Sequence, residues 1–177
     1  MKKKVLKYWW VLFVFLPLVP IVMAEMSGPD ADDFGRKHKI PDGLVYHLPL
    51  EPFSDDKVLI DSLDKETYLQ VWPGFQGGIY TYDFYYPSIP AGEIFLRCYE
   101  VTENIPLSED SLERHSPVHV GSTNSFSKLV NQNEFTIYEG DWGDYYAARI
   151  EVWFRDSVSK QERKLCEKIY RVEGWMR

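Results

Sequence analysis

The sequence is poor in cysteine, in histidine and in positive charge. It has two cysteines and four histidines, and its 20 lysines and arginines face 27 aspartates and glutamates, a formal net charge of −7. This balance argues against nucleic-acid binding, because phosphates are bound by a basic face. Two cysteines alone cannot supply the four ligands of a structural zinc site. The 177 residues, 45% hydrophobic and 16% aromatic, are typical of one globular domain rather than of a disordered chain.

Long apolar runs are missing except near the N-terminus. Residues 1–7 carry four lysines and no acid, and residues 8–24 carry no charge. This layout predicts a secretory signal peptide that is cleaved after Ala24, with an uncleaved membrane anchor as the alternative. Pro17, Pro20 and a run near the lower limit for spanning a bilayer of about 30 Å favour the signal peptide. Both interpretations place the rest of the chain in the periplasm or outside the cell.

Export would make the protein more acidic. Removal of residues 1–24 leaves 153 residues with 16 of the 20 basic side chains and all 27 acidic ones, a net charge of −11. Such a charge keeps an exported domain soluble, which is the simpler interpretation. It can also steer a basic partner towards the protein.

The two cysteines, Cys98 and Cys166, lie beyond the predicted signal peptide. In an oxidising compartment they can form one disulfide, which would stabilise the fold by about 4 kcal/mol in the chain-entropy model. The alternative is a pair of buried free thiols on separate strands, because a buried cysteine packs as a small hydrophobic side chain. The sequence leaves both alternatives open.

The remainder of the chain has the pattern of a β-domain. Residues 25–43 are polar and predict a lead-in to a folded domain at 44–177. That domain has short segments rich in aromatic and β-branched residues, separated by Gly and Pro turns. They predict strands at 44–50, 57–60, 66–72, 77–86, 93–102, 146–155 and 163–172.

Three of these segments carry more detailed information. Residues 93–102 are apolar on both faces, as in a central strand. Residues 146–155 show the cleanest alternation in the chain, with Ala148, Ile150, Val152 and Phe154 on one face and Arg149, Glu151 and Arg155 on the other, where Trp153 is the exception. Residues 163–172 break the alternation, which predicts a β-bulge.

The pattern predicts one short helix after Ser108. Ser108 is placed to cap it, Glu109 and Asp110 suit its first turn, and Pro117 ends it. Seven or eight short strands with one small helix predict a mainly β fold, an antiparallel β-sandwich of the immunoglobulin-like or prealbumin-like kind.

No arrangement of residues predicts catalysis or a cofactor. His115 and His119 have a spacing that can bind metal on a helix, but Pro117 lies between them. Ser122 follows His119 without the strand–turn–helix context of an exposed nucleophile. We therefore expect no catalytic residue, no metal ligand and no cofactor.

The acidic loop at residues 139–144 has the carboxylates that best suit a calcium site. Glu139, Asp141 and Asp144 lie within six residues that also include two glycines. Carboxylates can collect around calcium, but the spacing is not that of an EF-hand loop. Gly and Asp between two strands are also typical of a hairpin turn, which we favour.

Aromatic residues give the strongest indication of a binding site. One face of a predicted strand carries Tyr80, Tyr82, Phe84 and Tyr86. We favour the interpretation that this face packs in the core. The alternative is that it forms a surface platform for sugars or for a protein partner. Other aromatics lie in turns or on polar faces, where a core does not need them. The candidate binding residues are Trp72, Phe75, Tyr82, Trp142, Tyr145 and Trp153.

Two parts of the chain resemble known groups of proteins. Residues 134–154, EFTIYEGDWGDYYAARIEVWF, and residues 163–175, RKLCEKIYRVEGW, are similar to small uncharacterised exported proteins of Gram-negative bacteria. Residues 93–108, EIFLRCYEVTENIPLS, followed by YAARIEVWF, resemble prealbumin-like sandwiches in general style. The resemblance implies the fold and the export, and it brings no catalytic residue.

These observations favour an exported, non-enzymatic binding protein, such as a periplasmic immunity or accessory factor with a basic protein partner. The alternative is a glycan- or peptidoglycan-binding module that uses exposed aromatics. A hydrolase with dispersed carboxylates is a third hypothesis. We expect no nucleic-acid partner, and contact with the membrane only through an uncleaved anchor.

Overall fold

The structure, a computed structural model, describes residues 33–49, 67–130 and 133–175. Strands are the main regular secondary structure in these ranges. Within these ranges there are eight strands, one helix of seven residues and one helical turn. No helix there is long and apolar enough to cross a membrane. In chain order the elements are α1 (Phe34–Lys37), β1 (Tyr68–Pro73), β2 (Ile79–Tyr86), β3 (Gly92–Glu100), α2 (Glu109–His115), β4 (Val118–Val120), β5 (Ser127–Val130), β6 (Phe135–Thr136), β7 (Tyr146–Asp156) and β8 (Glu162–Val172).

The strands form two antiparallel sheets. In sheet I, β2 is flanked by β1 on one side, and it also pairs with β5 and β6. Sheet II has the order β4-β3-β7-β8. The fold is mainly β and consists of two antiparallel sheets with one short helix, so the predicted β-sandwich is confirmed.

The inner faces of the two sheets supply the hydrophobic core. The even-numbered row from Tyr80 to Tyr86 on β2 is at most 4% exposed, so this row faces the core, as favoured. Burial of large aromatic side chains removes much apolar area from water and dominates the stability of such a core. Sheet II contributes alternate residues of β3 and β7, including Ile94, Leu96, Cys98, Ala148, Ile150, Val152 and Phe154.

The more detailed strand predictions are also confirmed. β3 lies between β4 and β7, as expected for a central strand. The alternation along β7 buries Ala148, Ile150, Val152 and Phe154 in the core. The bulge lies in β8, where Val152 pairs with Cys166 but Trp153 pairs with Lys164. One extra residue on β8 therefore opposes β7 at this point.

The short helix forms where predicted, but Ser108 does not cap it. Ser108 has a left-handed backbone with φ 45° and makes no side-chain cap hydrogen bond. Its hydroxyl instead donates to the Glu139 carboxylate and accepts from Tyr138 N at 2.8 Å. The predicted cap was wrong because a carboxylate from a distant loop binds the hydroxyl. The helix ends before Pro117, with Ser116 at its C-cap.

The N-terminal part of the described chain packs against the sandwich. The ring of Phe34 in α1 lies 5.1 Å from that of Tyr146, although this residue belongs to the predicted lead-in. In the predicted strand at 44–50, His47 forms only an isolated parallel bridge to β8, donating to Ile169 O at 2.8 Å and accepting from Arg171 N at 2.9 Å. The strand predicted at 57–60 lies outside the described residues.

Both cysteines are free thiols. Cys98 on β3 pairs with Ile150 of β7, while Cys166 on β8 pairs with Val152 of β7. The thiols are therefore two strands apart, about 10 Å at the usual strand spacing, whereas a disulfide needs Cα atoms within about 7 Å. The disulfide alternative is wrong, and two free thiols on separate strands are found. Burial raises the pKa of Cys166 to about 12.

A buried tyrosine connects β8 of sheet II with β1 of sheet I. The Tyr170 hydroxyl on β8 donates to Leu69 O of β1 at 2.9 Å and accepts from Val71 N at 3.4 Å. Lys168 on the same strand also donates to Leu69 O, at 3.2 Å, and its ammonium lies 3.5 Å from the ring centre of Tyr68. These contacts satisfy backbone groups of β1 that point away from β2.

Titration of the unfolded chain with a thiol reagent tests whether both cysteines are free. We expect the full chain, unfolded in the absence of reductant, to react with a thiol reagent at two sites, because β7 separates Cys98 from Cys166. The Cys98→Ser variant serves as the control and should react at one site. A wild-type chain that shows no reactive thiol after unfolding would contain the disulfide that this register forbids.

The connection between the sheets can be tested with Tyr170→Phe. Loss of the hydroxyl leaves buried Val71 N without its partner, and we expect the free energy of unfolding to fall by about 1–3 kcal/mol in chemical denaturation. Tyr46→Phe is the matched control, because Tyr46 is 37% exposed and should lose less than about 0.5 kcal/mol. Equal stability of both variants would show that the Tyr170 hydroxyl does not connect the sheets.

Candidate functional site

Three chain segments meet at one end of the sandwich. They are the β1–β2 turn at 74–78, the loop at 137–145 and the segment 173–175 after β8. Ile137 joins the other two segments, because its N–H donates to Gly78 O and its carbonyl accepts from Trp175 N, each at 2.8 Å. The three segments therefore form one hydrogen-bonded unit at the end of the core.

Glycines let these segments approach closely. A Cβ at Gly174 would lie 2.0 Å from Gly140 O, and a Cβ at Gly78 would lie 2.3 Å from Trp175 N. Real Cβ atoms do not come that close to backbone, so a side chain at either position would push the segments apart. Gly78 also has φ +76°, a conformation that disfavours other residues.

Tyrosine hydroxyls from the core bind the same segments. The Tyr80 hydroxyl donates to Glu173 O at 3.2 Å and accepts from Glu173 N at 3.0 Å. The Tyr146 hydroxyl donates to Glu139 O at 2.7 Å. Burial raises the pKa of Tyr80, so its hydroxyl stays protonated and can donate at any physiological pH. These bonds fix the segments on the rigid core.

Aromatic side chains project from this framework. Phe75 is 77% exposed at the tip of the β1–β2 turn, and Trp142 is 45% exposed. The Trp142 indole donates to Gly77 O at 3.1 Å, which places it against the turn that carries Phe75. Tyr138 and Trp175 form an edge-to-face pair with ring centres 5.9 Å apart. We call Phe75, Tyr138, Trp142 and Trp175 the aromatic end.

The predicted binding residues divide into several groups. Phe75 and Trp142 come together as part of the aromatic end. Tyr145 is 43% exposed in the same loop, but the guanidinium of Arg171 lies 4.5 Å from its ring centre. Trp72 is half-buried near the end of β1 and pairs in register with Thr81.

Tyr82 was predicted as a binding residue, and this is wrong. Tyr82 is 0% exposed, and its hydroxyl donates to Ser116 O at 2.7 Å inside the protein. The residue belongs to the inward-facing row of β2, so no ligand on the surface can reach it. Burial raises its pKa, which keeps the phenol neutral.

Tyr138 and Trp175 were missed from the sequence. Tyr138 directly precedes the acidic loop, and Trp175 follows the last strand after Gly174. For Trp175, the sequence signal for a functional residue was a bulky aromatic that follows a glycine, Gly174, just beyond the last strand. Their pairing depends on the bond between Trp175 N and Ile137 O, which joins segments far apart in the chain.

Trp153 belongs to a separate network on the outer face of sheet II. Its indole donates to Glu151 Oε2 at 2.8 Å, and the guanidinium of Arg97 lies 4.3 Å from its ring centre. The Glu151 carboxylate also accepts from Arg149 at 3.1 Å and from Lys164 at 3.2 Å. Trp153 is thus half-buried in a charge network near the other end of β7 from the aromatic end.

The acidic loop is a turn. Asp144 N donates to Asp141 O at 3.3 Å, and Gly140 and Gly143 both have positive φ. The carboxylates point to different partners: Glu139 accepts from Ser108 N at 2.9 Å, and Asp144 lies 3.5 Å from Arg36. The favoured turn is confirmed, but it is not a hairpin turn, because β6 pairs with β2 in sheet I whereas β7 pairs with β3 and β8 in sheet II. Across the described ranges, no group of three His, Cys, Asp or Glu side chains could hold a metal ion.

No protein-family model, no curated protein sequence and no solved structure shows significant similarity to this chain. The resemblance to small exported proteins therefore stays a prediction, and so does the export.

The Glu151 network should make stability depend on pH. Burial raises the pKa of Glu151, but hydrogen bonds from Trp153, Lys164 and Arg149 outweigh burial and lower it overall. A carboxylate with a depressed pKa stabilises the fold above its unfolded pKa, and this stabilisation is lost as the pH falls through the folded pKa. We expect Glu151→Gln to lower the free energy of unfolding at pH 7 by about 1–3 kcal/mol.

That difference between Glu151→Gln and the wild type should shrink in acid, below about pH 4. Urea denaturation across the pH range measures it. Glu134→Gln, an exposed carboxylate outside the network, is the control and should follow the wild type at every pH. A Glu151→Gln deficit that stays constant down to low pH would contradict the charge network.

Proposed function

We propose that this chain is an exported, non-enzymatic protein-binding domain, an immunity or accessory factor for a secreted protein, and that the aromatic end contacts the partner. One observation carries the proposal: Phe75 and Trp142 are exposed, yet they stand on segments fixed by glycine contacts and tyrosine hydrogen bonds. Large exposed aromatics on a rigid base are costly in solubility and useful in binding.

The geometry of the aromatic end favours a protein partner. Phe75 projects from the tip of a loop. A side chain in this position fits into a pocket on a partner protein better than it stacks against the flat face of a sugar ring. Aromatic anchors of this kind supply most of the binding energy at protein interfaces. Because the base is rigid, little conformational entropy is lost when the partner binds.

The charge of the chain favours a basic partner. Asp141 directly precedes Trp142, the Glu173 carboxylate accepts from Gly143 N at 2.7 Å, and the whole chain has a net charge of −7. An acidic surface raises the association rate of a basic protein and slows that of an acidic one. Export, which rests on residues 1–24, would bring the domain to such a partner in the periplasm or outside the cell.

One observation favours glycan binding as a second candidate. The indole N–H of Trp175 is covered and has no hydrogen-bond partner among the described residues. The Trp175 residue borders an open cleft of about 730 Å³ that is also lined by Ser108, Glu109 and Asp110. An indole donor beside an aromatic face and carboxylates suits sugar hydroxyls and a sugar ring.

Photo-cross-linking tests the protein-binding proposal. The photoreactive amino acid p-benzoyl-phenylalanine replaces Phe75 in one variant and Val158 in another. Both positions are highly exposed and apolar, at 77% and 88%, but only position 75 lies at the aromatic end. In cells that produce the full chain, we expect a discrete cross-linked protein from position 75 and none from position 158.

The specificity of the cross-link can then be checked. Trp142→Ala, added to the position-75 variant, should reduce the cross-linked yield about tenfold, a typical loss for an interface anchor. Circular dichroism must show that the variant is folded. If position 75 gives no cross-linked protein, or the same proteins as position 158, the protein-binding proposal is wrong. Retention on peptidoglycan that Trp175→Phe abolishes would favour the glycan candidate instead.

A further inference from the structure

A groove between β3 and α2, separate from the aromatic end, has the properties of a second contact surface. It has a volume of about 440 Å³ and is bounded by β3 residues on one wall and by α2 on the other. This volume is within the range of ligand-binding clefts, about 300–1,000 Å³. The lining includes Glu93, Phe95, Arg97, Tyr99, Glu109 and Glu113.

The groove exists because β4 covers only part of the β3 edge. β4 pairs with Gly92–Ile94, and beyond that the edge meets isolated groups. Leu96 N donates to Ser116 Oγ at 2.9 Å, and Cys98 O accepts from Leu107 N at 2.9 Å. Between these two bonds, Leu96 O and Cys98 N have no hydrogen-bond partner among the described residues.

These two backbone groups border the groove. The side chains of Leu96 and Cys98 point into the core, so the atoms with which they line the groove belong to the backbone. A covered peptide group without a partner costs free energy, which a ligand can recover by supplying a donor for Leu96 O and an acceptor for Cys98 N. One residue of an extended peptide segment supplies both, through its own N–H and its own C=O.

The charge of the groove identifies the ligand. Its two arginines are already paired: Arg155 lies 2.7 Å from Glu93 and 2.8 Å from Glu162, and Arg97 lies 2.8 Å from Glu162. On the opposite wall, the exposed carboxylates of Glu109, Asp110 and Glu113 form no ion pair with any described residue. The uncompensated charge of the groove is therefore negative.

The β3 wall suits the aliphatic part of a basic side chain. Phe95 and Tyr99 lie on the outer face, and guanidinium groups of Arg97 and Arg149 already pack on their rings at 5.3 Å and 5.1 Å. Lysine and arginine place methylene groups against apolar surfaces while the charged end reaches a carboxylate. Phe95 is buried and already covered by Arg97 and Arg155. A basic side chain between the two walls would therefore meet the half-buried ring of Tyr99 on one side and carboxylates on the other.

We propose that this groove binds a lysine- or arginine-rich peptide segment of the partner protein. Basic side chains of the segment pair with Glu109 and Glu113, and the N–H and C=O of one of its residues bond to Leu96 O and Cys98 N. The inference deepens the proposed function, on which it rests, because it gives the chemical reason for a basic partner.

Peptide selection tests the groove. A library of short random peptides is selected on the immobilised full chain, and the probes are the enriched peptides themselves. We expect enrichment of lysine and arginine. Binding should weaken about tenfold in the double variant Glu109→Gln/Glu113→Gln, the loss expected from two exposed ion pairs, and should weaken with added salt. Glu134→Gln is the matched control and should bind as the wild type does.

A second readout locates the peptide. In amide NMR spectra of the full chain, the signal of Cys98 should shift on binding, and its hydrogen exchange should slow. The inference is overturned if no basic sequence is enriched, if the double variant binds equally well, or if the shifts fall elsewhere. These outcomes leave cross-linking from position 75 untouched, so failure of the groove and failure of the proposed function can be told apart.

Discussion

Buried tyrosine hydroxyls are the constraint on which the rest of this structure depends. A hydroxyl removed from water needs a hydrogen-bond partner, and four tyrosines of the core donate to backbone carbonyls outside their own strands. Tyr170 thereby joins the two sheets, and Tyr80 and Tyr146 hold the segments of the aromatic end. The core thus stabilises the fold and also determines where its loops lie.

The same constraint extends to the groove through Tyr82. Its hydroxyl binds the carbonyl of Ser116, while the Ser116 hydroxyl donates to Leu112 O and accepts from Leu96 N. Ser116 therefore holds the end of α2 beside β3 and sets the width of the groove. The two candidate surfaces are connected through a single row of side chains on β2.

The local patterns predicted the strands well, because alternation and bulges are properties of short segments. β7 and the bulge of β8 could be located from side-chain order alone. Contacts between distant segments could not: Ser108 lost its cap to Glu139, and the register across β7 separated the cysteines. At the candidate site, Phe75 and Trp142 were found as exposed aromatics, whereas Tyr138 and Trp175 depend on a backbone bond between segments.

The bulge in β8 has a consequence for self-association. β8 is an outer strand of sheet II, and His47 pairs with it only around Ile169 and Arg171. Elsewhere on β8, the bulge near residue 165 disturbs the regular spacing of the backbone hydrogen-bonding groups. Charged residues such as Lys164 and Glu167 would also lose their hydration if another strand paired there. Both features oppose edge-to-edge addition of a second chain, the first step towards aggregation.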